Sequence, residues 1–320
     1  MSVFRLIAAC VVLAACACSS DDPPPPNVAF DGARALEYVK LQMSAGPRVP
    51  GTEAHRLVAD RIVAELRKNA DTVIEQTWTH VTKKGDSLPM RNIFAQFNPS
   101  ATTRILYVTH YDSRPTAENS FAEADRTKPT PGANDGASGV GMLIVLAEAL
   151  KAAPSTVGVD MLFTDGEDYG PFNGVTADTA KGSDVLIGAR YYSENILPTP
   201  SYRPTFGVLW DMVGDRDLMF VRDSHSEAAA RDVNDRVWKM GRALGYARVF
   251  TEARIDQFTD DHIPLIGKGF KIVNVIDLDY GPGNRFHHSM QDVIDNVSAE
   301  SLTIVGRVAL ALIRAEEAKK

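Results

Sequence analysis

The stretch Ile105-Leu-Tyr-Val-Thr-His-Tyr-Asp112 decides the fold, because an apolar run is followed at once by side chains that bind metals. Three further short apolar runs occupy residues 159–163, 206–210 and 272–276. All four runs are predominantly apolar rather than alternating, which is typical of strands covered on both faces. We therefore expect these runs to form the centre of a sheet buried between two other layers.

Patterns with helical spacing separate these runs. Residues 31–43 and 53–68 have that spacing, and residues 140–150 carry an apolar stripe of Val140, Leu143, Ile144, Ala147 and Leu150. Residues 72–81 and 92–97 have strand patterns, and Ser298 is placed to cap a last helix, with Val297 and Leu302 as a hydrophobic staple. The alternation predicts an α/β fold with a mostly parallel sheet sandwiched by helices.

Carboxylates and imidazoles stand beside each of the four apolar runs and before the helix at 140–150. In chain order they are His110, Asp112, Asp135, Glu167, Asp168, Asp211, His287 and His288. The ligand crevice of an open α/β sheet lies beyond the carboxyl ends of its strands. Like charges so close together repel unless a cation joins them, and mixed carboxylate and imidazole ligands suit zinc. The pattern therefore predicts a zinc site at this edge of the sheet.

Each of these groups also has an ordinary explanation when it is taken alone. A strand-end Asp commonly caps a turn, Glu167-Asp168 is compatible with a solvated acidic turn, and His287-His288 with simple loop histidines. One shared metal site explains all five segments together. Other chemistries lack their motifs: Gly-x-Ser-x-Gly, Gly-x-Gly-x-x-Gly, the P-loop and His-Glu-x-x-His are all missing from the sequence.

Composition and the N-terminal sequence indicate the class of protein and where in the cell it is located. The 320 residues are 44% hydrophobic, which excludes a disordered chain, and the formal net charge of −7 provides no basic surface for nucleic acid. All three cysteines lie within residues 1–18, and the apolar run 6–15 follows Arg5 as in a signal peptide. Leu13-Ala-Ala-Cys16 resembles the bacterial lipoprotein cleavage box.

The N-terminal pattern predicts three segments. Residues 1–15 are a lipoprotein signal peptide, residues 16–29 a Pro-rich tether that begins at a lipidated Cys16, and residues 30–320 a single catalytic domain. The protein is then exported and anchored in the cell envelope through its lipid, facing the periplasm. The alternative is ordinary signal cleavage, which would release a soluble exported protein.

The order of the site residues identifies a family. The segments His110-x-Asp112, Asn134-Asp135, Gly166-Glu-Asp168, Asp211 and His288 resemble the zinc peptidase family M28 over about residues 31–318. Within that family, Thr259-Asp-Asp-His-Ile-Pro264 and His110-Tyr-Asp-Ser113 resemble the glutaminyl cyclase branch. The resemblance implies a mixed, twisted sheet with one zinc on Asp135, Asp168 and His288. It implies Glu167 as general acid and base, Asp211 and Asp260 hydrogen-bonded beside it, and Asp112 supporting the ligands.

The resemblance leaves more than one function open. A cyclase would convert the N-terminal Gln of a peptide to pyroglutamate with one zinc. A zinc aminopeptidase would use His110 and Asp211 for a second metal, with Asp135 bridging, and both enzymes act on peptide or protein N-termini. A non-catalytic envelope lipoprotein is a third hypothesis, which the intact Glu167 and complete ligand set disfavour. Animal cyclases carry Glu at the position of Asp168 and Trp at that of His287.

Overall fold

The computed structural model of the protein describes residues 25–172, 182–256 and 258–319, so the predicted signal peptide and Cys16 lie outside the described residues. Within these ranges the helices are α1 (Gly32–Met43), α2 (Glu53–Asn69), α3 (Ala137–Ala152), α4 (Ile187–Glu194), α5 (Ser224–Ala243), α6 (His262–Ile266) and α7 (Ala299–Glu317). The strands are β1 (Thr72–Val81), β2 (Ser87–Phe97), β3 (Arg104–His110), β4 (Gly158–Thr164), β5 (Phe206–Asp211), β6 (Phe220–Asp223), β7 (Phe250–Ile255) and β8 (Ile272–Ile276). None of the described helices is both long and apolar enough to cross a membrane.

The main sheet has six strands in the order β1-β2-β4-β3-β5-β8. Strands β4, β3, β5 and β8 are parallel to their neighbours in that group, whereas β1 and β2 are antiparallel and form one edge. Strands β6 and β7 form a separate parallel pair. The predicted mixed, mostly parallel α/β sheet is therefore confirmed.

The central strand β3 shows why the apolar runs are continuous. Ile105 and Tyr107 join the larger hydrophobic core, which α1, α2, α3, α5 and α7 cover. Leu106 and Val108 point to the opposite face and join a second core with residues of α4 and α6. Successive side chains of a strand alternate between faces, so a sheet covered on both sides needs apolar residues at every position.

The predicted helices at 31–43 and 53–68 agree with α1 and α2 to within one residue, whereas α3 extends beyond the pattern at 140–150 by three residues at its start and two at its end. The Asp31 side chain accepts a hydrogen bond from the Arg34 amide at 2.9 Å, and Ser298 accepts one from the Ser301 amide at 3.0 Å. Both residues therefore cap the first turns of their helices. Val297 and Leu302, the predicted staple, are fully buried.

Strand β2 begins at Ser87, five residues earlier than the pattern at 92–97 indicated. Pro89 suggests a break, because proline cannot donate a hydrogen bond to a neighbouring strand. Here β2 has only β1 beside it at Pro89, since β4 pairs with β2 only over residues 93–97. The lack of an N–H group at Pro89 therefore does not remove a hydrogen bond between β2 and β4.

Asp160 on β4 carries a buried charge that we expect to be essential for stability. Its carboxylate accepts two hydrogen bonds from Arg104, at 2.7 and 2.6 Å, and one from the Tyr202 hydroxyl at 2.7 Å. Asp160→Asn leaves the Arg104 charge uncompensated in the interior, so we expect the free energy of unfolding to fall by about 3–5 kcal/mol. Urea unfolding measures it.

Tyr202→Phe is the matched control for this prediction. It removes one hydrogen bond to the same carboxylate but leaves the ion pair with Arg104 in place. We expect a loss of roughly 1–3 kcal/mol from it. An Asp160→Asn variant that is no less stable than Tyr202→Phe contradicts the assignment.

Candidate metal centre and active site

The ends of the parallel strands bring the predicted site residues together. Strand β3 ends at His110 and β5 at Asp211, while Asp135 lies in the turn before α3. A cavity of about 330 Å³ opens at this edge. Its lining comprises charged, neutral polar, imidazole and apolar side chains, namely Arg114, Glu118, Asn119, Asp135, Glu167, Phe172, Asp211, Met212, Phe258, Thr259, Asp260, Ile276, His287 and His288. The predicted crevice beyond the strand ends is present.

The predicted ligands Asp135 and Asp168 both lie close to His288. His288 Nε2 lies 3.2 Å from Asp168 Oδ1 and 3.6 Å from Asp135 Oδ2. Tetrahedral zinc with bonds of about 2.0–2.1 Å separates its donors by roughly 3.3 Å. Asp168 Oδ2 is buried and has no hydrogen-bond partner among the described residues. A metal ion would satisfy that oxygen, so these three residues fit the zinc that the sequence predicts.

Asp112 organises the loop that carries two of the predicted site residues. Its two carboxylate oxygens accept the backbone N–H groups of Glu167 and Asp168, both at 3.1 Å. Gly166 adopts φ +66° in this loop, a left-handed conformation that residues with a Cβ rarely take. The chain therefore turns sharply after β4, so that Glu167 lines the cavity while Asp168 lies beside His288. This position fits the predicted role of Asp112 behind the ligands, which stays a prediction.

His110 lies between three carboxylates. Its Nε2 is 3.0 Å from Asp135 Oδ1 and 3.1 Å from Asp211 Oδ1, and its Nδ1 is 3.3 Å from Asp112 Oδ1. Burial disfavours the imidazolium, but the charges of these carboxylates outweigh it and raise the pKa of His110 well above its usual value. His110, Asp135 and Asp211 are also close enough to hold a metal ion. This geometry is therefore compatible with both alternatives: His110 hydrogen-bonded to carboxylates in a one-zinc cyclase, and His110 as a ligand of a second zinc in an aminopeptidase.

Residue 136 lies too close to His110 to carry a side chain. A Cβ at this position would lie 2.5 Å from Nε2 of His110. The turn before α3 therefore reaches the imidazole only because residue 136 is glycine. This close approach places the adjacent Asp135 carboxylate between His110 and His288.

Glu167 is a buried carboxyl group among other carboxyl groups. Burial raises the pKa of Glu167 well above its usual value, and the charges of Asp260 and Asp168 act in the same direction while His110 opposes them. Burial also raises the pKa of Asp211, to about 7. Asp260 accepts a hydrogen bond from Asn274 Nδ2 at 2.7 Å, which fixes its position beside the cavity. Glu167 is therefore placed to hold a proton and to release it.

Two residues at the site were missed in the sequence. Arg114 is buried and donates to Asp168 Oδ1 at 2.7 Å and to Glu118 Oε1 at 2.6 Å. Asp292 is buried and accepts from the Asn134 amide at 2.7 Å and the Tyr280 hydroxyl at 2.8 Å. Neither belongs to a recognisable spacing pattern, although Asp292 follows His288 by four positions. Both orient the loops that carry the predicted metal ligands.

The structure brings His287 as well as His288 to Asp135. His287 Nε2 lies 3.8 Å from Asp135 Oδ2, and the centroids of the two imidazole rings are 3.7 Å apart. Only His288 is also near Asp168, and it adopts φ +51°, in the left-handed region that favours glycine. The preference for His288 as the ligand stays a prediction, and this geometry supports it.

Comparison with known proteins finds enzymes of two kinds. The model of Peptidase family M28 matches residues 92–313. A glutaminyl-peptide cyclotransferase of Drosophila melanogaster is 27% identical over 292 residues, covering 82% of this chain and 76% of that protein. The crystal structure of Porphyromonas gingivalis glutaminyl cyclase is 32% identical with a TM-score of 0.83, covering 91% of this chain and 100% of that one. A leucine aminopeptidase precursor from Bacteroides thetaiotaomicron is likewise 32% identical, with a TM-score of 0.83 and coverage of 90% and 98%.

Proposed function

The chain belongs to peptidase family M28, and we propose that it is a zinc-dependent glutaminyl-peptide cyclotransferase. Its substrates would be peptides or proteins with N-terminal Gln, and its products pyroglutamyl peptides and ammonia. The observation that carries this proposal is the position of Asp260, from the Asp-Asp-His-Ile-Pro segment, at the cavity beside Glu167 and Asp211. The similarity to bacterial and animal glutaminyl cyclases supports the same choice.

The site residues divide the work of metal binding and proton transfer. Asp135, Asp168 and His288 would hold one zinc ion. When bound there, zinc supplies Lewis-acid polarisation of the γ-carbonyl oxygen of the substrate. The α-amine and the γ-carbonyl belong to the same substrate residue, and the cavity holds them close together. The reaction is therefore intramolecular and needs no encounter between two molecules.

Glu167 would act as general base and then as general acid. It removes a proton from the α-amine as the nitrogen attacks the carbonyl carbon of the γ-carboxamide and forms the new C–N bond. It returns that proton to the amide nitrogen as the old C–N bond breaks and ammonia leaves. Asp211 and Asp260 would orient Glu167 and the departing nitrogen. The raised pKa of Glu167 suits a group that must both accept and donate a proton.

The second candidate function is a zinc aminopeptidase. It is favoured by the three donors His110, Asp135 and Asp211, which lie close enough for a second zinc with Asp135 shared between the two metals. Glu167 would then activate water for hydrolysis of the first peptide bond. The similarity to a leucine aminopeptidase precursor supports this alternative.

Two substrates offered to the purified protein separate the candidates. We expect ammonia release from a peptide with N-terminal Gln and no hydrolysis of a leucine arylamide. Hydrolysis of the arylamide without ammonia release from the Gln peptide contradicts the cyclase and selects the aminopeptidase. Activity in neither assay, with zinc bound, favours the non-catalytic lipoprotein.

We further propose that the catalytic domain is carried on a lipid anchor at Cys16, in the cell envelope. The apolar core of residues 6–15, the Leu-Ala-Ala-Cys box and the Pro-rich tether that follows support this proposal. Cys16→Ser removes the thiol that would be lipidated, so we expect the protein to leave the membrane fraction with its turnover unchanged. Membrane fractionation and an activity assay measure both.

Cys18→Ser is the matched control, because Cys18 lies two residues beyond the box. We expect that variant to stay with the membranes. If Cys16→Ser fractionates like the wild type, the lipid anchor is wrong.

A further inference from the structure

Two adjacent imidazoles bracket one oxygen of the metal-binding Asp135. His287 Nε2 is 3.8 Å from Asp135 Oδ2, and His288 Nε2 is 3.6 Å from the same atom. One ligand atom from each of the three residues lies within 4.8 Å of the others. These separations are close to the roughly 3.3 Å between donors on a tetrahedral zinc ion. His287 is therefore near enough to contact a metal that Asp135 and His288 hold.

The backbone around His287 is held in place by a neighbouring loop. Asn119 donates its side-chain amide to the carbonyl oxygen of His287 at 3.1 Å, and its backbone N–H to that of His288 at 3.1 Å. The ring of His287 lies against that of His288 at an interplanar angle of 43° and lines the cavity. His287 therefore reaches toward Asp135 without a rearrangement of the loop.

Asn284 lies where it can favour the neutral tautomer of His287 that has its lone pair on Nε2. The Asn284 side-chain amide is 3.2 Å from His287 Nδ1, and its Oδ1 is buried without a hydrogen-bond partner in the described part of the chain. A half-turn of the amide exchanges its two atoms within the same space and presents Oδ1 to Nδ1–H. The lone pair of the neutral ring is then on Nε2. Metal-bound histidines usually donate their other N–H to an oxygen in this way.

We propose that His287 Nε2 is a further zinc donor in the substrate-free protein, on the metal that Asp135 and His288 hold. This inference rests on the zinc site of the proposed function and adds to it a residue that the animal cyclases replace by Trp, whose indole N–H cannot bind a metal. The side chain of His287 is 18% exposed against 11% for His288, and its nitrogen is the farther from Asp135. His287 is therefore the donor that an incoming substrate oxygen displaces.

Zinc X-ray absorption counts the imidazoles on the metal and tests the proposal without reference to activity. We expect two imidazoles in the zinc-loaded, substrate-free wild type and one in His287→Phe, which keeps a planar ring without a donor atom. Loss of a residue that only hydrogen-bonds to a metal ligand lowers metal affinity by roughly 10–100-fold. Loss of a ligand itself should cost at least as much, so we expect the zinc affinity of His287→Phe, measured by chelator competition, to fall by at least that factor. One imidazole in the wild type overturns the proposal, even if the variant fails to fold.

The controls separate this proposal from the function on which it rests. His288→Phe should lose zinc outright, because it removes the donor shared with Asp168. An unchanged zinc affinity in a folded His287→Phe overturns the role of His287 and leaves the cyclase untouched. A wild-type protein that binds no zinc overturns both, whereas two imidazoles without ammonia release from Gln peptides overturn only the cyclase.

Discussion

Glu167→Gln should lower turnover per bound zinc by about 10²-fold or more, the effect expected from loss of a general base. Glutamine keeps the shape of the side chain and one carbonyl oxygen but cannot accept a proton at neutral pH. Glu167 is buried at the cavity and is not among the three metal donors, so we expect zinc to stay bound. Turnover normalised to zinc content is the measurement, because it separates proton transfer from metal loss.

An exposed residue supplies the control for this change. Glu123→Gln makes the same chemical substitution on the surface and should leave turnover unchanged. If Glu167→Gln also keeps nearly the wild-type rate per zinc, Glu167 is only a charge that holds the loop beside Asp168. Both the cyclase and the aminopeptidase mechanisms use Glu167, so that outcome would remove Glu167 from either mechanism.

Alanine at Asp135, Asp168 or His288 should abolish zinc binding and with it all measurable activity. Each substitution removes one of the three ligands that the proposed function requires, and the buried partners of the lost side chain cannot replace it. We expect elemental analysis to find no zinc after dialysis, and circular dichroism to find the fold intact. Asp168→Ala also leaves the Arg114 guanidinium with Glu118 as its remaining carboxylate partner.

His287→Ala is the informative comparison for these variants. It should bind zinc more weakly but still load fully in excess zinc, whereas His288→Ala should not load. Zinc lost from His287→Ala and retained by His288→Ala would contradict the assignment of the two histidines. His287 rather than His288 would then be the required zinc ligand of this loop.

The sequence predicts the site because each ligand stands at the end of a recognisable strand or turn. The apolar run before His110 identifies β3, and the alternation of strands with helices places its carboxyl end beside that of β5. Parallel strands end at one edge, so His110 and Asp211 meet although 101 positions separate them. No tertiary information is needed for that inference.

The residues that orient the ligands could not be predicted in the same way. Asp292 accepts the backbone N–H of Asn134, 158 positions away, through loops whose path no local pattern determines. Arg114 resembles any charged loop residue until the fold buries it against Asp168. Strand β7 was missed for a related reason: after Phe250 its residues are half-buried or exposed, so it lacks the apolar run that marks the central strands.

Mass spectrometry of one peptide with N-terminal Gln, incubated with the zinc-loaded protein, tests the central claim most directly. The account predicts a product of unchanged length that is lighter by one ammonia, formed by the wild type far faster than by Glu167→Gln. A product shortened by its N-terminal residue would contradict the cyclase and establish the aminopeptidase.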